Sequence, residues 1–149
     1  MLFIGIDPGR TGALAVLTAE MGFVSVLDYD RDKCVTFLRE LRSQHPSLSA
    51  HIEAVHAMPQ DGSASAFRFG ENFGWWQGVL ESFSIPYKKV APQTWMRHFG
   101  LTKSSPRDKP SLPLCRKAFP SAPLHLQKHN GRSDALCIAA YGVDLANTL

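Results

Sequence analysis

The sequence predicts an α/β fold with a mixed five-stranded central sheet flanked by helices, and three observations carry that prediction. Three strand-like segments follow one another at the start, and helix-like and strand-like segments then alternate. Such an order joins an antiparallel meander to a βαβ-type remainder. At 149 residues, 44% hydrophobic and 19% charged, the chain makes one domain over 1–149 and leaves no room for a second.

Leu2 to Ile6 is an apolar run that stops at Asp7-Pro8-Gly9-Arg10, a turn sequence, and Thr11 to Thr18 resumes with Ala13, Leu14, Ala15, Val16 and Leu17. This pattern predicts a β-hairpin. Phe23 to Leu27 reads as the third strand, and Asp30 caps a helix from Arg31 to about Ser43 with Val35, Leu38 and Leu41 on one stripe. Beyond the breaker His45-Pro46-Ser47, Ala50 to Val55 reads as a strand holding Glu53 in an apolar surround.

A turn-rich stretch from Met58 to Ser65 precedes a helix expected over Ala66 to Phe83, with Phe69, Phe73, Trp76 and Leu80 on one side. Gly70, Gly74 and Gly78 clear another face of that helix for the sheet or for a second copy of the chain. Ile85 to Val90 reads as the last strand, and Pro92 opens a helix through about Phe99. Thr102 to Pro110 reads as a flexible cationic loop. A short helix near Leu112 to Phe119 and a final helix from about Ser133 to Leu145 complete the chain.

Lys and Arg total 16 against 13 acidic residues, a net charge of +3 that permits a polyanionic partner without requiring one. Cys34, Cys115 and Cys137 are odd in number and far apart, which excludes a disulfide framework or a Cys-x-x-Cys metal knuckle and favours a reducing compartment. No apolar run reaches the roughly 20 residues of a membrane span, and the first strand candidate begins at Leu2 with no signal or transit peptide before it. The expectation is a cytoplasmic protein with no membrane partner.

Three acids stand in unusual contexts: Asp7 where the first strand turns, Glu53 inside an apolar strand, and Asp134 at the start of the last helix. Each is costly to bury alone. Adjacent first and fourth strands bring Asp7 and Glu53 together, and the last helix can add Asp134. An oxygen-only cluster of this kind suits a hard cation such as Mg²⁺ or Mn²⁺, and two such ions about 3.5–4 Å apart serve phosphodiester hydrolysis. Singly, each acid also has an ordinary reading, as an Asx turn, an edge-strand surface residue and a helix first-turn acid.

Ile4-Gly5-Ile6-Asp7-Pro8-Gly9, Ile52-Glu53 and Gly131-Arg132-Ser133-Asp134-Ala135-Leu136 resemble, in order and context, the RuvC-type Holliday junction resolvases. Pro59-Gln60-Asp61-Gly62, Gly74-Trp75-Trp76, Trp95-Met96-Arg97-His98-Phe99 and Asn130 to Leu136 resemble the plant chloroplast branch and its bacterial and phage relatives. The resemblance implies an RNase H-like fold, a homodimer without small-molecule cofactor, and metal-dependent paired nicking of four-way DNA junctions in a bacterial or phage host cell.

Asp7, Glu53 and Asp134 match the family's metal-binding and catalytic carboxylates, with two Mg²⁺ or Mn²⁺ ions per site implied. Many relatives carry Asp or His where this chain has Gly131, and the plant-type pattern has His where this chain has Asn130. Asn130 and His129 are therefore competing candidates for a fourth ligand. Lys103, Arg107 and Lys109 resemble the cationic stretch from which a lysine assists the scissile phosphate, and Lys109 is the selected residue.

Further candidate phosphate contacts are Arg10, Arg68, Lys88, Lys89, Arg97 and Arg132. Gln60 and Asp61 are candidates for base preference at the cut. Phe67 and Phe69 offer either aromatic surface to bases or core to the helix start. The face of Gly70, Gly74 and Gly78 is the expected dimer interface, since a twofold axis suits paired incisions. Two other functions remain open on the residues: an RNase H-like nuclease on RNA or hybrid, and a catalytically silent junction-binding protein.

Overall fold

The computed structural model describes residues 1–54, 56 and 58–149. Val55, expected to end the fourth strand, and Ala57, within the turn-rich stretch after it, lie outside the described residues.

Strands β1 (Leu2–Asp7), β2 (Ala13–Thr18), β3 (Phe23–Asp28), β4 (Leu48–Glu53) and β5 (Tyr87–Val90) form one sheet in the order β3-β2-β1-β4-β5. The first three pair antiparallel, while β4 runs parallel to β1 and to β5. Helices α1 (Arg31–Gln44), α2 (Ser63–Ser82), α3 (Pro92–His98), α4 (Ser111–Ala118) and α5 (Asn130–Asn147) cover the two faces.

The period-2 alternation of the strands sorts the core into two layers. Phe3, Ala13, Ala15 and Leu17 face α3, α4 and α5, whereas Ile4, Ile6, Leu14, Val16 and Ile52 face α1 and α2. Both faces of β1 and β2 are buried, which is why their sequences read as continuous apolar runs. As expected, Asp30 caps α1, its side chain accepting from Lys33 N at 2.9 Å.

Small residues let α5 lie directly on the sheet. A Cβ on Gly5 of β1 would come within 2.1 Å of the Ala135 carbonyl oxygen and 2.3 Å of Ala139 N. One on Gly131 would come within 2.1 Å of the Thr11 carbonyl oxygen, and one on Gly142 within 2.5 Å of His51 Nδ1. The helix axis is thus pressed onto β1, the β1–β2 turn and β4 at three points along its length.

Several boundaries differ from the sequence expectation. The β1–β2 turn extends to Gly12, because Gly12 N donates to Gly9 O at 2.9 Å, so β2 begins at Ala13 and not at Thr11. β4 starts at Leu48 and ends at Glu53, its register set by pairing with β1 from Leu2↔Leu48 to Ile6↔Ile52. β5 starts at Tyr87 and not Ile85, since Pro86 has no N–H to give the ladder and Ile85 N bonds back to Leu80 O.

α2 begins at Ser63, because Gly62 O accepts from Ser65 N and Ala66 N. Its first two turns hold no buried residue, and Phe69, expected on the buried side, is 38% exposed; Phe67 is 74% exposed. Burial in α2 begins further along, at Trp76 and Leu80. A Cβ on Gly70, Gly74 or Gly78 would meet nothing within 4 Å, so the glycine face of α2 does not pack on the sheet. α5 starts at Asn130, which puts Asp134 one turn inside the helix instead of at its start.

Candidate active site

Asp7 and Glu53 are the last residues of β1 and β4, adjacent parallel strands whose register places them side by side. Asp134 comes from α5, brought over the same strand ends by the seating of Ala135 and Ala139 on Gly5. The three acids predicted from sequence therefore meet at one edge of the sheet.

Their electrostatics carry the mark of that meeting. Burial, chiefly, raises Asp7 from 3.8 to about 6, with a further upward push from Asp134, while the Gly9 N–H on its Oδ1 (3.0 Å) holds it down. Glu53 rises from 4.5 to about 7 for the same reason, pushed further by Asp7 and Asp134. Asp134 is also raised by burial, against hydrogen bonds from Ser111 and Asn130. Three mutually repelling buried carboxylates are a poor arrangement without a cation.

The donor set fits a hard divalent cation: carboxylate oxygens, with the Asn130 side chain beside Asp134 and no thiol or imidazole. Among the described residues no three His, Cys, Asp or Glu side chains are gathered tightly enough to hold an ion as they stand. His129 is buried and turned elsewhere, its Nδ1 accepting from Leu126 N at 3.3 Å and its ring 5.0 Å from that of His125. Of the two candidates for a fourth ligand, Asn130 is the one at the carboxylates. Gly131 has no space for a side chain, which accounts for a ligand position shifted off it.

Sequence reasoning missed the groups that hold the acids in place. Trp95 Nε1 on α3 donates to Glu53 Oε2 at 2.8 Å, and Trp95 is buried. Ser111 Oγ on α4 bonds Asp134 Oδ1 and also Ser133 Oγ at 2.8 Å. The signal for Trp95 was present, since a buried indole N–H needs an acceptor; Ser111 gave none.

The cations are placed unevenly. Lys103 lowers all three carboxylates, whereas Lys109, the residue selected from sequence, acts on Asp134 and donates to Gln127 O at 3.3 Å. Their loop, expected to be flexible, is tied down: Asp108 accepts from the backbone N–H and hydroxyl groups of both Ser104 and Ser105. Arg97 and Lys103 line an open groove of about 610 Å³ with Gln93, Met96 and Leu101.

Arg10 and Arg68 line a separate cavity, and Lys88, Lys89 and Arg107 are exposed. Arg132 is committed to the fold, its Nε and Nη2 bonding both oxygens of Asp28 at 2.6 and 2.8 Å and its Nη1 bonding Pro123 O. Gln60 and Asp61 sit in a turn where Asp61 Oδ2 accepts from Met58 N at 2.8 Å.

Comparison with known proteins gives one sequence relative and a clear fold. No protein-family model matches the chain. It is 30% identical over 99 residues to the chloroplastic Holliday junction resolvase MOC1 of Chlamydomonas reinhardtii, a match covering 65% of this chain and 11% of that protein. The chain thus spans about a tenth of the length of that relative.

Among solved structures, T. thermophilus RuvC in complex with a Holliday junction substrate superimposes with a TM-score of 0.70 at 16% identity, over 99% of this chain and 96% of the other. Thermus thermophilus RuvC alone gives 0.66 at 18% identity with the same coverage. No described helix is long and apolar enough to cross a membrane. The sheet order, the helices on its two faces and the near-complete superposition all give the same result: this chain has the RuvC fold.

Proposed function

We propose that the chain is a metal-dependent endonuclease that resolves four-way DNA junctions by paired, symmetric nicks, acting as a homodimer. The observation that carries this reading is the convergence of Asp7, Glu53 and Asp134 at one sheet edge with the first two raised to about 6 and 7. The similarity to a named Holliday junction resolvase and the RuvC fold support the choice of substrate.

Two Mg²⁺ or Mn²⁺ ions at such carboxylates supply water activation and stabilisation of the leaving oxygen. Asp7, Glu53 and Asp134 would hold them, with Asn130 beside Asp134. Trp95 and Ser111 fix the rotamers of Glu53 and Asp134. Lys103 and Lys109 offer positive charge to the phosphate beside the acids. The uncovered glycine face of α2 offers a second protomer a close approach along Gly70, Gly74 and Gly78.

The test is cleavage of a synthetic four-way junction beside duplex and RNA–DNA hybrid of the same sequence, with Mg²⁺, Mn²⁺ or EDTA. Metal-dependent paired nicks in the junction alone are expected, and Asp7→Asn abolishes them while junction binding persists. Hybrid cleavage instead would make the chain an RNase H-like enzyme on RNA. A second reading, a junction-binding protein without cleavage, is favoured by the absence of a gathered three-ligand cluster among the described residues. Tight junction binding with no nicking in either metal would establish it.

A further inference from the structure

The turn that follows Asp7 has a second neighbour besides the carboxylates. Arg10, in that turn, lines a cavity of about 430 Å³ together with Tyr29, Arg68, Phe69, Glu71 and Asn72. This volume lies within the usual range of small-ligand sites, roughly 300–1,000 Å³. The cavity joins the end of β3 to the first turns of α2, the part of that helix that overhangs the core.

Its chemistry is specific. Arg10 and Arg68 bring two guanidinium groups, neither of them paired with an acid among the described residues. Arg68 Nε is held by Ala64 O at 3.3 Å, which steadies the arm and leaves its terminal nitrogens free to bond a ligand. The acid in the lining, Glu71, is paired with Arg31 at 3.3 Å, so its charge is already offset. Phe69 presents a ring that the chain leaves partly uncovered.

Asn72 is oriented by a relay: Arg31 Nε donates to Tyr29 Oη at 2.8 Å, and Tyr29 Oη donates to Asn72 Oδ1 at 3.0 Å. With Oδ1 taken, the amide NH₂ is the group left to meet a ligand. Two cations, an uncovered aromatic ring and an oriented amide donor together describe a receptor for an anion carrying a flat, hydrogen-bond-accepting ring.

We propose that this cavity receives one unstacked nucleotide of the DNA strand whose phosphodiester lies at Asp7, its phosphate between Arg10 and Arg68, its base on Phe69 and an acceptor of that base on the Asn72 amide. The proposal rests on the nuclease reading above and adds a subsite to it. A base can lie on Phe69 only after leaving its stack, which is cheap at a branch point and costs a few kcal/mol within a duplex. The cavity thereby contributes to preference for branched over linear DNA.

The experiment places 2-aminopurine, whose fluorescence rises on unstacking, at successive positions around the branch of a four-way junction, with EDTA present so that no strand is cut. Wild-type protein is expected to raise the signal at one or two positions. Phe69→Ala and Asn72→Ala should abolish that rise, and Phe69→Ala should weaken junction binding roughly 10-fold, the scale of one base–aromatic stack. Arg68→Ala should weaken binding and reduce the salt slope by ~0.9 for duplex-like contact or ~0.7 for single-strand contact.

Wild-type binding with no rise at any position, or a rise unchanged in both variants, overturns the subsite. Because Phe69 is exposed, an unchanged circular dichroism spectrum and melting temperature separate these outcomes from misfolding. If the wild type does not bind junctions at all, the nuclease reading fails, and oligo(dT) judges the cavity alone. Oligo(dT) binding lost in Phe69→Ala then upholds the cavity as a nucleotide site, and no binding overturns it.

Discussion

Trp95 Nε1 donates a 2.8 Å hydrogen bond to Glu53 Oε2, tying α3 to the end of β4 through a buried indole. The bond favours the ionised form of Glu53 against the burial that raises it to about 7. Trp95→Phe keeps most of the bulk and removes the donor. Its expected effects are a loss of about 1.5–3 kcal/mol above pH 7, as for a hydrogen bond to a charged group, and an upward shift of the acidic limb of the junction-cleavage pH profile. Urea unfolding and single-turnover rates from pH 5 to 9 check both.

Raised carboxylates make stability depend on pH in an unusual direction. Asp7 and Glu53 bind protons more tightly in the folded chain, at about 6 and 7, than in the unfolded one, at 3.8 and 4.5. Folded protein therefore holds more protons between about pH 4 and 7, and metal-free stability falls as pH rises through that window. Thermal unfolding in EDTA should show a higher melting temperature at pH 5 than at pH 8 from this contribution. Asp7→Asn should flatten the dependence and raise the pH 8 value, and Mg²⁺ or Mn²⁺ should stabilise the wild type at pH 8 more than the variant.

Gly131 and Gly5 admit no side chain without backbone movement. Gly5→Ala and Gly131→Ala are each expected to cost about 3 kcal/mol or more, at the upper end of overpacking effects, because the obstructing atoms are backbone. Gly131→Asp, which restores an acid found at this position in many relatives, should weaken folding and fail to raise cleavage. Urea midpoints and cleavage rates measured on the same samples check this.

Lys103 and Lys109 should separate kinetically. Lys103 influences all three carboxylates and Lys109 one of them, so Lys103→Ala is expected to slow single-turnover cleavage more than Lys109→Ala. General electrostatic stabilisation of this kind is worth roughly 10²–10³ in rate when a single donor is removed. Equal effects, or a larger one at Lys109, would return the assignment to the residue favoured by sequence.

Arg132 should behave as a structural residue. Its bidentate pair with Asp28 joins α5 to the end of β3, and the same pairing holds the Asp28 carboxyl below its ordinary range. Arg132→Ala is expected to cost about 1 kcal/mol of stability while leaving the salt slope of junction binding unchanged. A slope reduced by ~0.9 would instead identify a phosphate contact.

Local chemistry made much of the fold legible. The Asp-Pro-Gly turn, the Asp30 cap and the Pro92 helix start each act over a few residues, and each appears where the sequence indicates. Pairing decided what local signals could not. β4 is shifted toward Leu48 because β1 dictates its register, and Glu53 therefore ends the strand instead of lying within it.

The candidate site divides in the same way. Asp7, Glu53 and Asp134 were readable because a buried acid is conspicuous in an apolar context. Ser111 and the crowding at Gly131 were not, since both depend on how α4 and α5 meet elements distant in sequence. Phe69 misled because helical spacing shows which residues share a stripe, whereas the sheet's extent decides how much of the stripe it covers.

β1 is hydrogen-bonded on both edges and covered on both faces, while β3 and β5 are edge strands and the first turns of α2 overhang the core. Local opening begins at such margins and reaches a central strand last. The amides of β1 should therefore exchange with solvent only through global unfolding, whereas those of the α2 overhang exchange through small fluctuations. On warming, the surface that grips a ligand loosens before the carboxylates lose their geometry, so recognition fails at a lower temperature than the scaffold of the chemistry.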